Sequence, residues 1–259
     1  MGAMKAWIAA LTTAVACTSA FAADLPRKAA PKAPPPAWSG WYAGASAGYG
    51  FGSNNILIDP LNDAGRSGFI SPSLGVRPKG VLAGLTLGMN WQAQNFVYGV
   101  ETDLSYAAIN DAVIGPLIVE PYNFQTIESQ RLEAFGTLRA RAGFVLPNTS
   151  MVYATAGLAY GRGSVSNFAY STLRGNCIDP NFCISGTSAQ WKAGWTAGAG
   201  WETPIAPSWS AKAEYLYYDL GSVTNVMSDG LGPPEYFRGS AALKGNILRL
   251  GVNHAFGKG

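Results

Sequence analysis

The chain has 259 residues, of which 48% are hydrophobic and 13% charged, with 32 glycines and a formal net charge of +3. That excess lies entirely before Trp38, where Lys5, Arg27, Lys28 and Lys32 are set against Asp24 alone. The remainder is formally neutral, so the charge lends nothing to nucleic-acid binding, and no stretch approaches the ~20 apolar residues of a membrane-spanning helix.

Met4 and Lys5 precede an apolar run over residues 6–16, and Ala20-Phe21-Ala22 is a small-x-small cleavage site. Residues 1–22 therefore read as a secretory signal peptide. Cys17 lies in a faint lipoprotein-like box that lacks its leucine, and is read as part of the discarded signal. Residues 23–37, with Pro26, Pro31, Pro34, Pro35 and Pro36, cannot build a core and form an extended, basic periplasmic tail. Residues 38–259 are left for the folded domain.

That domain alternates with period two, the signature of strands with two unlike faces. Trp41, Ala43, Ala45, Ala47 and Tyr49 share one face of the first segment. Val81, Ala83, Leu85, Leu87, Met89 and Trp91 share one face of the second. The third is the clearest: Phe96, Tyr98, Val100, Thr102, Leu104 and Tyr106 oppose Val97, Gly99, Glu101, Asp103 and Ser105. In the fourth, Ala134, Gly136, Leu138, Ala140, Ala142 and Phe144 oppose Glu133, Phe135, Thr137, Arg139 and Arg141. A fifth runs from Val152 to Tyr160, a sixth from Trp191 to Trp201 opposite Glu202, and a seventh places Trp209, Tyr215 and Tyr217 opposite Lys212 and Glu214. The eighth has Leu248, Leu250, Val252, His254 and Phe256 opposite Arg249.

Aromatic rings close most of these apolar faces: Trp41, Tyr49, Trp91, Phe96, Tyr106, Phe144, Tyr160, Trp191, Trp201, Trp209, Tyr217 and Phe256. About ten residues between rings matches the two interfacial girdles of a bilayer-spanning strand. Connections at 92–95, 145–151 and 202–208 are short, whereas 52–79, 108–130, 162–188 and 221–241 are long. A soluble sandwich also alternates, but it explains neither the paired rings nor the alternating connections. The expectation is all-β: an eight-stranded antiparallel up-and-down transmembrane barrel with short periplasmic turns and long extracellular loops.

Charges opposite the apolar faces must then point into the lumen. Glu101, Asp103, Glu133, Arg139, Arg141, Lys212, Glu214 and Arg249 form the expected inward network, with opposite signs on adjacent strands. Side chains can fill an eight-stranded lumen, so a salt-bridged plug is favoured over a pore lining or proton relay. Cys177 and Cys183 flank Asp179-Pro180-Asn181, a turn that would let them pair in an oxidising compartment. The apolar stretch 112–119 reads either as a partner patch or as a flap over the barrel mouth.

Asp24-Leu25-Pro26, the Pro-rich tail and the segment from Trp38 to Gly44 together resemble the start of small alphaproteobacterial outer-membrane β-barrel proteins. These are known as outer-membrane immunogenic or porin-like proteins, some of them hemin-binding. Residues 157–161, 194–200, 214–221 and 245–253 are similar to that family's later strands. The resemblance implies an abundant envelope barrel in the outer membrane of a Gram-negative bacterium. The chain departs from the family at His254, where an aromatic is usual, and in ending on Gly257-Lys258-Gly259 beyond Phe256. The function expected is structural and cell-surface interaction, without enzymatic activity, cofactor or metal; porin-like transport, or binding of a small ligand such as haem, is the alternative. His254 is the only histidine and is poorly placed as a ligand or base, which leaves Tyr218 or loop tyrosines for haem. The partners expected are outer-membrane lipid and lipopolysaccharide, the barrel-assembly machinery through the last strand, and a surface partner through the outer loops.

Overall fold

The computed structural model describes residues 38–63, 70–119, 123–173, 177, 183–229 and 235–256. The expected signal peptide and tail lie outside them, as do the turn residues 178–182. Ten strands form in chain order: β1 Gly40–Phe51, β2 Asn54–Pro60, β3 Ser73–Val76, β4 Lys79–Ala93, β5 Phe96–Ile114, β6 Phe124–Val145, β7 Met151–Ser171, β8 Cys183–Ala206, β9 Trp209–Met227 and β10 Phe237–Ala255. Eight close a ring in the order β1-β4-β5-β6-β7-β8-β9-β10, and β10 returns to β1 from Tyr42↔Ala255 to Phe51↔Asn246. Every neighbouring pair is antiparallel, as hairpin connections require.

The short turns gather at one end, which by the barrel rule faces the periplasm. Between β4 and β5, Gln94 adopts the left-handed region at φ 55°, as a two-residue hairpin turn demands. Between β6 and β7, Thr149 does the same at φ 66°, and its N–H donates to the Leu146 carbonyl at 2.9 Å. Trp38 is drawn into this end. Its backbone N–H donates to Gln92 Oε1 at 3.0 Å and its indole N–H to the Thr149 carbonyl at 3.2 Å. It packs on Val97, Met151 and Tyr153, closing the floor of the barrel.

At the other end the strands outrun the sequence reading. The stretches taken as long loops are largely strand: β5 runs on to Ile114, β7 to Ser171 and β9 to Met227, while β6, β8 and β10 begin at Phe124, Cys183 and Phe237. Within 52–79 there is a further hairpin, β2–β3, whose β2 pairs with the outer half of β10 from Phe237↔Pro60 to Ala241↔Ile56. It continues the wall where β1 stops.

Polarity inverts along the barrel axis. In the lower zone the apolar positions face outward and the charges inward. In the upper zone Ile56, Val76, Leu82, Ile109, Leu132, Val165, Leu216, Leu220, Val223, Leu243 and Ile247 pack inward as one core. Ser164, Ser166, Ser185, Thr187, Ser222, Thr224, Arg238 and Ser240 take the outer face. The reason is the solvent: lipid outside the lower zone demands an apolar exterior, whereas water outside the upper zone restores the ordinary buried apolar core. Bulges retime two strands at the boundary. On β6 the register shifts between Leu132 and Ala134, and on β9 Gly221, at φ 76°, precedes a change of buried phase from Leu220 to Val223.

Candidate functional site

The lower lumen holds the densest polar constellation. Four cations, Arg139, Arg141, Lys212 and Arg249, meet four carboxylates, Glu101, Asp103, Glu202 and Glu214, all of them buried. Arg139 on β6 is the hub. It donates to Glu101 from Nη2, to Glu214 Oε1 from Nη1 at 2.9 Å and to Asp103 Oδ2 from Nη2 at 3.1 Å. Arg249 reaches Asp103 at 3.0 Å and Glu214 at 2.6 Å, and Lys212 Nζ reaches Glu101 Oε2 at 2.9 Å. These strands bring the pairs together because Glu101 stands directly opposite Arg139, and Glu214 directly opposite Arg249.

A second tier lies toward the floor. Arg141 donates to Glu202 Oε2 at 2.8 Å and to the Tyr42 hydroxyl oxygen at 2.8 Å, and that hydroxyl donates in turn to Glu101 at 2.8 Å. Its guanidinium carbon lies 4.1 Å from the Tyr153 ring centre and 5.7 Å from that of Tyr42, a cation–π sandwich. Gly88 and Gly200 make this possible, since a side chain at either would collide with the Tyr42 or Tyr153 ring. Beneath it is a cavity of about 30 Å³ lined by Trp38, Tyr42, Asn90, Glu202 and Asn253, large enough for roughly two waters.

The structure thus gathers seven of the eight residues expected in the network. Glu133 is the exception and is corrected: it sits at the β6 bulge, half-exposed, 3.4 Å from Arg162 Nε on the outer face. Phase counted from Leu132 put it inside, but the extra residue in the strand turned it out. Glu202, Tyr42 and Tyr153 belong to the network and were not assigned to it. The inward phase of Glu202 and Tyr42 is visible in the sequence, and Lys212 stands directly opposite Glu202 on the next strand, but Lys212 Nζ turns to Glu101 and the cation that Glu202 and Tyr42 share is Arg141 on β6.

The aromatic positions take the places expected of two girdles. Trp41, Trp91, Phe96, Phe144, Trp201, Trp209 and Phe256 are exposed at the short-turn end, while Tyr49, Tyr106, Tyr160 and Trp191 are exposed at the other; Tyr217, partly covered, packs 5.3 Å from Trp195. His254 lies edge-on between Trp209 at 4.8 Å and Phe256 at 5.2 Å, standing in for a girdle ring. Tyr218 is buried in the upper core 5.1 Å from Phe135, and so is withdrawn from any ligand outside. Cys177 and Cys183 form a disulfide, their Cα atoms 5.2 Å apart, between β7 and β8. Among the described residues no group of three His, Cys, Asp or Glu is placed to hold a metal.

Comparison with known proteins agrees with this geometry. The chain is 37% identical over 261 residues to the 31 kDa outer-membrane immunogenic protein of Brucella melitensis biotype 1, covering 98% of this chain and 100% of that protein. It is 27% identical over 227 residues to the 22 kDa outer membrane protein of Rhizobium leguminosarum bv. viciae, covering 88% and 82% of the two chains. Its fold is similar to that of the outer membrane protein OprG from Pseudomonas aeruginosa, with a TM-score of 0.52 at 13% identity over 84% of this chain and 96% of that one. A family model described as the outer membrane protein beta-barrel domain matches residues 8–256. A match over nearly the whole chain, on a closed ring with an apolar band and a charged lumen, makes this protein a member of the outer membrane protein beta-barrel domain family, resident in the outer membrane.

Proposed function

We propose that this protein is a closed, non-conducting envelope barrel that raises a rigid β-sheet extension above the membrane for contact with the cell's surroundings. The observation that carries this reading is a lumen occupied on two levels. Arg139 and its balanced partners fill the lipid-embedded zone, and the apolar core around Phe135, Leu216 and Ile247 fills the zone above. Ions would have to displace first a dehydrated core and then a set of mutually neutralised charges. The same pairing speaks against hydrolysis in the lower lumen, because Glu101, Asp103, Glu202 and Glu214 are each held by a cation and His254 lies on the outer face, in the girdle.

Surface contact is supported by the tip beyond β5. Ile114, Leu117 and Val119 are exposed rather than folded over the mouth, although the tip is anchored by Gly115 N–H to the Thr126 carbonyl at 2.8 Å. Apolar residues fixed in water are a common mark of an interaction surface. The decisive measurement is conductance of the purified, folded barrel in a planar bilayer. A flat trace is expected at voltages where a known porin gives steps; reproducible single-channel steps from the wild-type barrel would overturn the reading in favour of transport.

A further inference from the structure

The lipid-facing surface is not electrically uniform where it meets the outer headgroups. On β4 the outward series Trp91, Met89, Leu87, Leu85, Ala83, Val81 ends at Lys79; on β6 the series from Phe144 to Ala134 gives way, past the bulge, to Arg131. Lys79 is the first ionised outward residue beyond the apolar band on β4, and Arg131 is the first on β6 past the bulge, where Glu133 is already paired with Arg162. Lys79 and Arg131 share one row of the sheet with Asn110 between them, since Lys79 pairs with Asn110 and Asn110 with Arg131. Two strand spacings set Lys79 and Arg131 about 10 Å apart, both able to reach over the amide. Arg77 is exposed one step before Lys79, adding a third cation.

None of these cations is engaged by a carboxylate among the described residues. That holds for their side chains: of the nearby acids, Glu133 pairs with Arg162, and Asp111, beside the row, accepts the backbone N–H of Arg77 on Oδ2 at 2.7 Å. The opposite side of the barrel differs. There Lys244 stands directly across from Asp219, and Arg238 directly across from Asp59. Below the Lys79–Arg131 row the wall offers large exposed apolar residues, Val81, Leu85, Leu104 and Tyr106. Beneath these is a hollow of about 350 Å³ lined by Ala43, Leu85, Leu87, Thr102, Leu104 and Tyr160. Tyr160 lies across Gly136, where any side chain would displace its ring.

We propose that Lys79, Asn110 and Arg131 bind a phosphate of an acylated, phosphorylated lipid of the outer leaflet, whose chains lie down the β4–β5 wall over this hollow. The chemistry is matched at both ends. Unpaired cations flank a neutral amide donor where phosphates sit, and a continuous apolar track runs below where chains sit. The site is one-sided, so the barrel would carry a bound lipid on the β4–β6 face rather than a uniform annulus. This inference is independent of whether the lumen conducts.

The test uses the folded mature barrel in mild detergent, titrated with diphosphoryl lipid A and with the same lipid stripped of its phosphates. The variants are the double neutralisation Lys79→Gln/Arg131→Gln and the matched control Arg238→Gln/Lys244→Gln; heat-modifiable migration checks that each is folded. The wild type and the control should bind the phosphorylated lipid equally. The Lys79/Arg131 variant should bind it about thirtyfold more weakly, two basic residues' worth of attraction. The dephosphorylated lipid should bind all three proteins alike. Equal affinity of the site variant and the wild type for diphosphoryl lipid A overturns the proposal. So does an equal loss in the control, which would reduce the effect to net charge. Preference of the wild type for the dephosphorylated lipid would also overturn it.

Discussion

Arg139 illustrates how much one lumen residue holds. Its guanidinium serves Glu101, Asp103 and Glu214, three carboxylates on two strands, all of them buried. Removing it leaves buried negative charge uncompensated, so Arg139→Ala should cost on the order of 3–5 kcal/mol. A lowered midpoint of heat-modifiable migration in detergent would register this, and an unchanged midpoint would refute the plug. Glu128 poses the opposite problem. It lies in the upper zone, above the lipid band, fully buried, with Asn167 Nδ2 donating to it and no cation beside it. Burial alone pushes its carboxyl up to about 8. The folded state therefore holds a proton that the unfolded state has lost, and stability should fall as pH rises from the ordinary carboxylate range to about 8, then level off. Glu128→Gln should flatten that slope and stabilise the barrel at pH 9, read as a thermal midpoint at several pH values.

Among the elements, the strands were legible only in part, and the limit has a physical origin. Where lipid lies outside, β5 alternates sharply between Phe96, Tyr98, Val100 and Glu101, Asp103, Ser105, because two solvents of opposite character face its two sides. Further along the same strand Ala107, Ile109, Asn110 and Asp111 carry a softer pattern of reversed polarity, which resembles a loop to a reading tuned to apolar-outward rings. Bulges compounded this at Glu133 and near Gly221, where counting by twos fails. The charge network is readable where register pairs opposite signs that also bond, as at Glu101↔Arg139 and Glu214↔Arg249, and misleads at Glu202↔Lys212, where facing residues take other partners. It is unreadable for Arg141–Glu202, which meets over the intervening strand β7. The tip after β5 carries its own prediction. Leu117→Asp should weaken adhesion or self-association of cells bearing the protein while leaving the folded band intact in heat-modifiability gels. Loss of that band instead would mean that Leu117 serves packing.

At the scale of the whole molecule the wall is continuous from floor to tip, so its orientation can be read at few points. In a background without Cys177 and Cys183, a cysteine at Thr187, on the outward polar face of β8, should react with a membrane-impermeant label on intact cells. One at Asn95, in the β4–β5 turn, should react only after lysis. The reverse pattern would invert the molecule in the membrane.

The polarity inversion bears on how such a barrel is assembled. The serines and threonines that coat the outer halves of β7, β8 and β9 end up in water, yet they start in the periplasm and must cross hydrocarbon to get there. Each hydroxyl passing the bilayer midplane without a partner is costly, so the crossing resists strand-by-strand threading and favours passage of already paired sheet. The transit barrier is therefore set by the thickness of hydrocarbon that a water-soluble sheet must traverse. Spontaneous insertion into preformed vesicles should accordingly slow steeply as the lipid acyl chains lengthen, well beyond the slowing of a barrel whose strands end at the girdle.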